Sequence, residues 1–364
     1  MRRQLKDLPE HYDTVVAGAG PAGVMAAKEA ARAGRVLLVE ASSLPRDKSC
    51  GGMLNEFAQE FIAGLGPVPE DLIRDPEHVN FRYWDWDRGI KKPTALRFLN
   101  VDRKGFDDWM MSYLPDNVDI VPDTQLNGLA EEPDGLFVSL KNGGVPTQVH
   151  CSNLIGADGA RSAVRRALGI GSVATYVTLQ DFVTLNGELE PYFDCIYMRD
   201  IGDCYAYSYI VPKGDTAIVG SVYYPKTKRP HEKQDQTMQM LREKLPQLGE
   251  TVKREACVAL SVRSPADIVP GRGRVLLAGE AGGFMSPTSG EGISYAMNSG
   301  QLAGLAIASG NSESALGTFT RASAPIARNI QRKLRWLPYM ESKLGKYFAG
   351  FIPAAIVSRV TKGL

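Results

Sequence analysis

Residues 13 to 40 read as strand, glycine-rich turn, helix and strand, a pattern that few folds besides the nucleotide-binding α/β class can satisfy. The run 13–18 is short and β-branched, as a buried strand should be, and 35–40 (Arg-Val-Leu-Leu-Val-Glu) reads as a second, parallel one. Between them, Gly18-Ala19-Gly20-Pro21-Ala22-Gly23 opens an alanine-rich helix expected to run to about Ala33, where Gly34 ends it. Gly18 permits the tight turn, Gly20 lets backbone approach a pyrophosphate, and Gly23 lets helix and strand pack closely. With Pro21 and Ala22 these residues present a helix N-terminus, where free N–H groups and the helix dipole favour an anion. Glu40 ends the second strand, next to Ala41, where a carboxylate can accept from ribose hydroxyls. The motif implies a dinucleotide and does not choose between NAD and FAD.

The rest of the chain bounds the alternatives. Its 364 residues, 44% hydrophobic and 23% charged, suit one large domain or a core with a smaller lobe, and a net charge of +1 gives no reason to expect nucleic acid. The five cysteines include no C-x-x-C pair and the four histidines are scattered, so no metal is expected, and the thiols read as reduced in a cytosol-like compartment. No apolar run suited to a signal peptide or a membrane span stands out, so a cytoplasmic protein is expected. Strand-like pieces at 79–101 and 118–157, alternating apolar and aromatic residues at 176–224, and helices near 102–114, 231–247 and 291–309 complete the outline.

Two further motifs lie far downstream. Gly156-Ala157-Asp158-Gly159-Ala160-Arg161-Ser162 follows one apolar strand, and Gly279-Glu280-Ala281-Gly282-Gly283 follows another. Pro287-Thr288-Ser289-Gly290-Glu291-Gly292-Ile293 then opens a helix. With these motifs in this order, the chain resembles the flavoprotein hydroxylase and geranylgeranyl reductase superfamily. The resemblance implies an FAD-binding domain of the para-hydroxybenzoate-hydroxylase type, an α/β Rossmann-like core with an antiparallel-sheet substrate lobe and C-terminal helices. It assigns Asp158 and Gly159 to backbone geometry near the pyrophosphate. Gly279 and Glu280 fall to the ribityl chain or pyrophosphate, and Gly290, Gly292 and Ile293 to the flavin N1/C2 carbonyl end. Glu280 stands where the superfamily usually has Asp, which leaves its contact open.

A narrower resemblance, to geranylgeranyl reductases, rests on Lys48-Ser49-Cys50-Gly51-Gly52, on Arg103 with Phe106 and Asp107, and on Tyr205-Ala206-Tyr207, and Gly279-Glu280-Ala281, the run 291–296 and the basic C-terminal tail resemble the bacterial CbrA-like branch. It implies that Cys50 and Gly51 border the flavin, that Arg103 contacts FAD, and that Cys50, Tyr205 and Tyr207 are the candidate catalytic or cavity-lining residues. The corresponding division is a discontinuous FAD-binding domain at 10–75, 98–175 and 262–310, a substrate lobe at 76–97 and 176–261, and a basic helical region at 311–364.

From Arg328 to Leu364, eight lysines and arginines face a single acid, Glu341, with aromatic and aliphatic residues interleaved. Such a segment suits either an anionic membrane surface or a helical pair closing the substrate lobe. Three functions follow: reduction of a C=C bond in an isoprenoid-like or other apolar substrate by hydride from reduced FAD; oxygen activation for hydroxylation or halogenation, including of a protein-bound substrate; or a flavoprotein accessory role without turnover. With a single glycine-rich fingerprint, electrons must come from an external donor, NAD(P)H, a separate reductase or a ferredoxin-like partner.

Overall fold

The computed structural model describes residues 1–143, 145–199, 201, 205–225, 227–310, 314–342, 344–345, 351, 353 and 355–356. β1 (His11–Ala17), α1 (Pro21–Ala30) and β2 (Val36–Val39) form the N-terminal βαβ unit. β3 (Met53–Leu54), α2 (Glu56–Ala63), β4 (Ile73–Asp85), β5 (Ile90–Val101) and α3 (Arg103–Met111) follow. Next are β6 (Val118–Val121), β7 (Gln125–Glu131), β8 (Leu136–Asn142), β9 (Val145–Gly156) and α4 (Ala163–Ala167). Then come β10 (Thr175–Leu185), β11 (Tyr192–Tyr197), β12 (Tyr205–Lys213), β13 (Thr216–Tyr223), α5 (Pro230–Lys244) and β14 (Leu248–Leu260). β15 (Gly271–Arg272), β16 (Val275–Leu277), α6 (Ile293–Ala308), α7 (Ala315–Leu334) and α8 (Leu337–Glu341) complete the order.

The first sheet has the order β15-β16-β9-β1-β2-β6, with β7 and β8 joined to β9. Its centre is parallel: Val16 lies level with Leu38 on one side and Ile155 on the other. Val15, Val16, Leu37, Leu38, Leu154, Ile155 and Leu276 are all fully buried, because helices cover one face and the β7–β8 arm covers the other. Each such side chain contributes roughly 1.5–3 kcal/mol relative to exposure. α6 lies against α1 at glycine contacts: a Cβ on Gly300 would sit 2.1 Å from the Ala22 carbonyl oxygen. The helix expected to reach Ala33 ends at Ala30 and unwinds into a turn, with Ala33 N–H on Ala30 O.

The second sheet has the order β14-β10-β13-β12-β11-β4-β5-β3 and is antiparallel except at the β11–β4 pair. Period-two alternation splits its faces. Trp84, Leu179, Ile196, Ile210, Val219 and Tyr223 point to α5 and form one apolar cluster with Met238 and Leu241. The intervening residues point to the nucleotide core. Pairing in this sheet extends beyond 76–97: Ile73 pairs with Val101, and Met53 with Asn100. The stretch 42–75, which reads as irregular, contains α2, capped by Asn55 Oδ1 accepting from Ala58 N–H at 2.8 Å.

Candidate functional site

The turn from β1 into α1 closes only with glycine. Gly18 has φ +101°, and a Cβ there would lie 2.4 Å from Ala157 O, while one on Gly23 would lie 1.7 Å from Gly18 O. The first helical bond runs from Val24 N–H to Gly20 O (3.0 Å), so the N–H groups of Ala22 and Gly23 precede the ladder. Glu40 is buried, its Oε2 accepting from Ala19 N–H (2.8 Å) and its Oε1 from Ser42 N–H (3.0 Å). Those bonds fix the carboxylate beside the turn and leave lone pairs for ribose hydroxyls. Gly18, Gly20, Pro21, Ala22, Glu40 and Ala41 line a cavity of about 720 Å³.

A cationic pair stands over this turn. Arg46 Nη2 donates to Asp107 Oδ2 (2.7 Å), and Arg103 Nε donates to Asp107 Oδ1 (2.9 Å). Burial disfavours the charge on Asp107, but Arg103 and Arg46 outweigh it and hold the carboxyl below the usual range. Arg46 Nη2 lies 2.9 Å from where a Gly20 Cβ would be, and Arg46 Nε is buried without a partner. Arg103 lies close enough to Cys50 for the two to interact electrostatically, and Cys50 lines the cavity with Gly51. Sequence reading missed Arg46. It lies in a loop without periodicity, and nothing local places it opposite Gly20.

The downstream motifs reach the same cavity. Asp158 Oδ2 accepts from Ala163 N–H (2.6 Å) and Val164 N–H (3.1 Å), capping α4, while its Oδ1 is buried and unpartnered. Burial pushes this carboxyl upward. Asp158, Gly159, Gly279, Glu280, Gly290, Gly292 and Ile293 all line the cavity. Glu280 Oε2 accepts from Leu260 N–H (2.9 Å), and its Oε1 lies 3.8 Å from Lys48 Nζ. The longer side chain thus bridges to β14, a contact not foreseen from the motif. Glu291 accepts from Ser294 N–H (2.8 Å) and Ser294 Oγ (2.9 Å), fixing the start of α6.

The second sheet supplies the opposite wall. Phe81 and Tyr83 of β4, Phe193, Cys195 and Tyr197 of β11, and Tyr207 and Tyr209 of β12 face the cavity at every second position, joined by Ala206 where the register of β12 shifts. Tyr207 OH donates to Ser289 O at 3.4 Å, tying the wall to the loop before α6. Gln180 donates to Tyr209 OH and accepts from Ser49 Oγ, tying it to the Cys50 loop. The hydroxyl of Tyr83 is buried with no partner. The side chain of Tyr205 lies outside the described residues. Behind the Cys50 loop, Lys213 Nζ donates to Val101 O (3.0 Å), and burial lowers its pKa to about 7. No sequence pattern marks Lys213 out. Among the described residues, no group of three or more His, Cys, Asp or Glu is arranged to hold a metal ion.

The cavity suits a dinucleotide carrying a large ring system. Its size falls within the ligand-pocket range, roughly 300–1,000 Å³. One end has helix N–H groups, an unpartnered guanidinium nitrogen and a buried acid; the other has aromatic faces. Residues 116–333 match the FAD binding domain family. Protein CbrA of Escherichia coli O9:H4 (strain HS) is 31% identical over 303 residues, 80% of this chain and 80% of that protein. A geranylgeranyl bacteriochlorophyll reductase-like protein from Thermoplasma acidophilum superposes with a TM-score of 0.77 at 18% identity, over 98% of this chain and 92% of that one. The flavin-dependent brominase Bmp2 superposes with a TM-score of 0.78 at 21% identity, over 96% and 93%. At these identities the structural likenesses establish the fold alone.

Proposed function

This chain belongs to the FAD binding domain family and is an FAD-dependent oxidoreductase, and from that premise we propose that it reduces a C=C bond of an isoprenoid-like or other apolar substrate. The observation that carries this reading is the shared cavity: one aromatic wall, continuous with the nucleotide loops, with Cys50 where they meet. FAD, when bound, supplies hydride to one alkene carbon. The N–H groups opening α1, Glu40 and the Arg46–Arg103 pair would hold its phosphates and ribose. Phe81, Phe193 and Tyr209 exclude water and orient an apolar chain. Cys50 would give its thiol proton to the second alkene carbon, and Arg103 would stabilise the thiolate left behind until solvent reprotonates it. Electrons would arrive from NAD(P)H, a separate reductase or a ferredoxin-like partner.

Chemically reduced holoprotein, mixed anaerobically with polyprenyl lipids and separately with air, tests the reading. Oxidation of the flavin by lipid without oxygen, with the saturated product recovered, is expected. Cys50→Ala should slow that step about 10²-fold or more, the usual size of a general-acid contribution, while the flavin stays bound. Rapid consumption of oxygen coupled to substrate hydroxylation or halogenation, with no anaerobic lipid oxidation, would replace this reading with oxygen activation. Inertness to both would leave an accessory flavoprotein.

A further inference from the structure

The segment after α7 forms part of the cavity wall and part of the outer surface. Trp336, Tyr339, Met340 and Ile356 line the cavity. Trp336, Tyr339, Leu344, Phe351 and Ile356 are also exposed, Leu344 at 70% and Phe351 at 62%. Elsewhere among the described residues only Met1, Phe137, Val252 and Leu305 are large apolar side chains exposed to this degree. Such a concentration in one short segment marks an interaction surface. The exposed Arg328, Arg332 and Arg335 of the preceding helical turns adjoin it.

The one acid between Arg328 and Leu364 does not offset those cations, because it is paired with an arginine of another segment. Glu341 accepts from Arg263 through two bonds, Nη1 to Oε2 and Nη2 to Oε1, both 2.8 Å, and from Tyr176 OH at 3.4 Å. Arg263 follows β14 and Tyr176 belongs to β10, so this pair fastens α8 over the aromatic wall. Among the described residues from Arg328 on, the outer face carries arginines, Trp and Tyr with no acid besides Glu341, the composition suited to the headgroup region of an anionic bilayer. Among the described residues, no helix is long and apolar enough to cross a membrane, so contact would be peripheral.

We propose that this C-terminal face docks on an anionic lipid bilayer and sets the opening of the cavity against the membrane. Docking rests on surface and charge alone. Only the entry of a lipid substrate depends on the reading above, so vesicle binding can hold whatever the reaction proves to be.

Full-length holoprotein, sedimented with vesicles of mixed phosphatidylglycerol and phosphatidylcholine or of phosphatidylcholine alone, tests docking. Binding to the anionic vesicles only, weakened by high salt, is expected, with a blue shift of tryptophan emission that Trp336→Phe removes. Each basic residue at such a surface is worth about 1 kcal/mol, or roughly fivefold. Arg328→Glu with Arg332→Glu should therefore weaken partition at least 10-fold, and Leu344→Ser should weaken it as well. The absorbance of bound flavin checks that each variant is folded. Absence of binding to anionic vesicles, equal binding to neutral ones, or unchanged binding by the charge-reversed variant would each overturn the proposal.

Discussion

Gly23 sits where an added Cβ would meet the carbonyl oxygen of Gly18 at 1.7 Å, so Gly23→Ala must open the phosphate turn. Overpacking of this kind costs roughly 1–3 kcal/mol, and the purified variant is expected to carry less FAD, read as the ratio of flavin to protein absorbance. Lys213 acts through protonation instead. Burial sets its folded pKa at about 7, against 10.5 for the unconstrained group. Between those values the unfolded chain binds a proton that the folded chain lacks, so stability rises with pH across that window. Below about 7 both states are charged and the burial cost is felt in full. Lys333, lowered by burial to about 8, adds the same sign only from there upward. Between pH 7 and 8 Lys213 contributes more of this slope than Lys333 does, and Lys213→Met should reduce it in urea denaturation series. A slope unchanged in the variant would assign it to other groups.

Two helices set the site at the scale of elements. α1 presents the phosphate turn, α6 begins at the loop expected to meet the flavin ring, and the two touch at Gly300. Gly300→Val would push α6 away from Ala22 and displace both loops together. Loss of roughly 1–3 kcal/mol of stability is expected, with weaker flavin retention although residue 300 does not line the cavity. Fluorescence of released flavin against denaturant midpoint measures both. In the second sheet, alternation fixes which side chains face the ligand. A one-residue slip would exchange the cavity residues Tyr207 and Tyr209 for Ser208 and Ile210.

Across the whole molecule, the cavity draws its lining from residues near 18–22, 46–53, 157–163 and 279–296, together with strands of the second sheet. A ligand gripped by all of them binds the folded chain and has no counterpart site in the unfolded one. FAD should therefore act as a cross-link, adding about 2.7 kcal/mol when present at 100 times its dissociation constant. Protein stripped of flavin is expected to melt several degrees lower, and added FAD should restore the midpoint in calorimetry. An unchanged midpoint would mean that these segments hold together without it.

Contacts local in sequence explain what could be read from residues alone. The run from Asp13 to Glu40 specifies its own strand, turn and helix, because each glycine answers a neighbour a few positions away or a strand that must lie beside it. The strands that lead into the Gly156–Gly159 and Gly279–Ile293 motifs were likewise legible, and the alternation in 176–224 signalled strands. Tertiary structure alone decided what depends on distant partners. Arg46 faces Gly20 only because its loop is fastened by Asp107 of α3, and Glu280 turns to Leu260 because β14 passes beside it. Lys213 acquires its depressed pKa only because Val101, Asn100 and the Cys50 loop enclose it. Burial and charge–charge proximity are properties of assembled surfaces, and no window of sequence contains both sides of them.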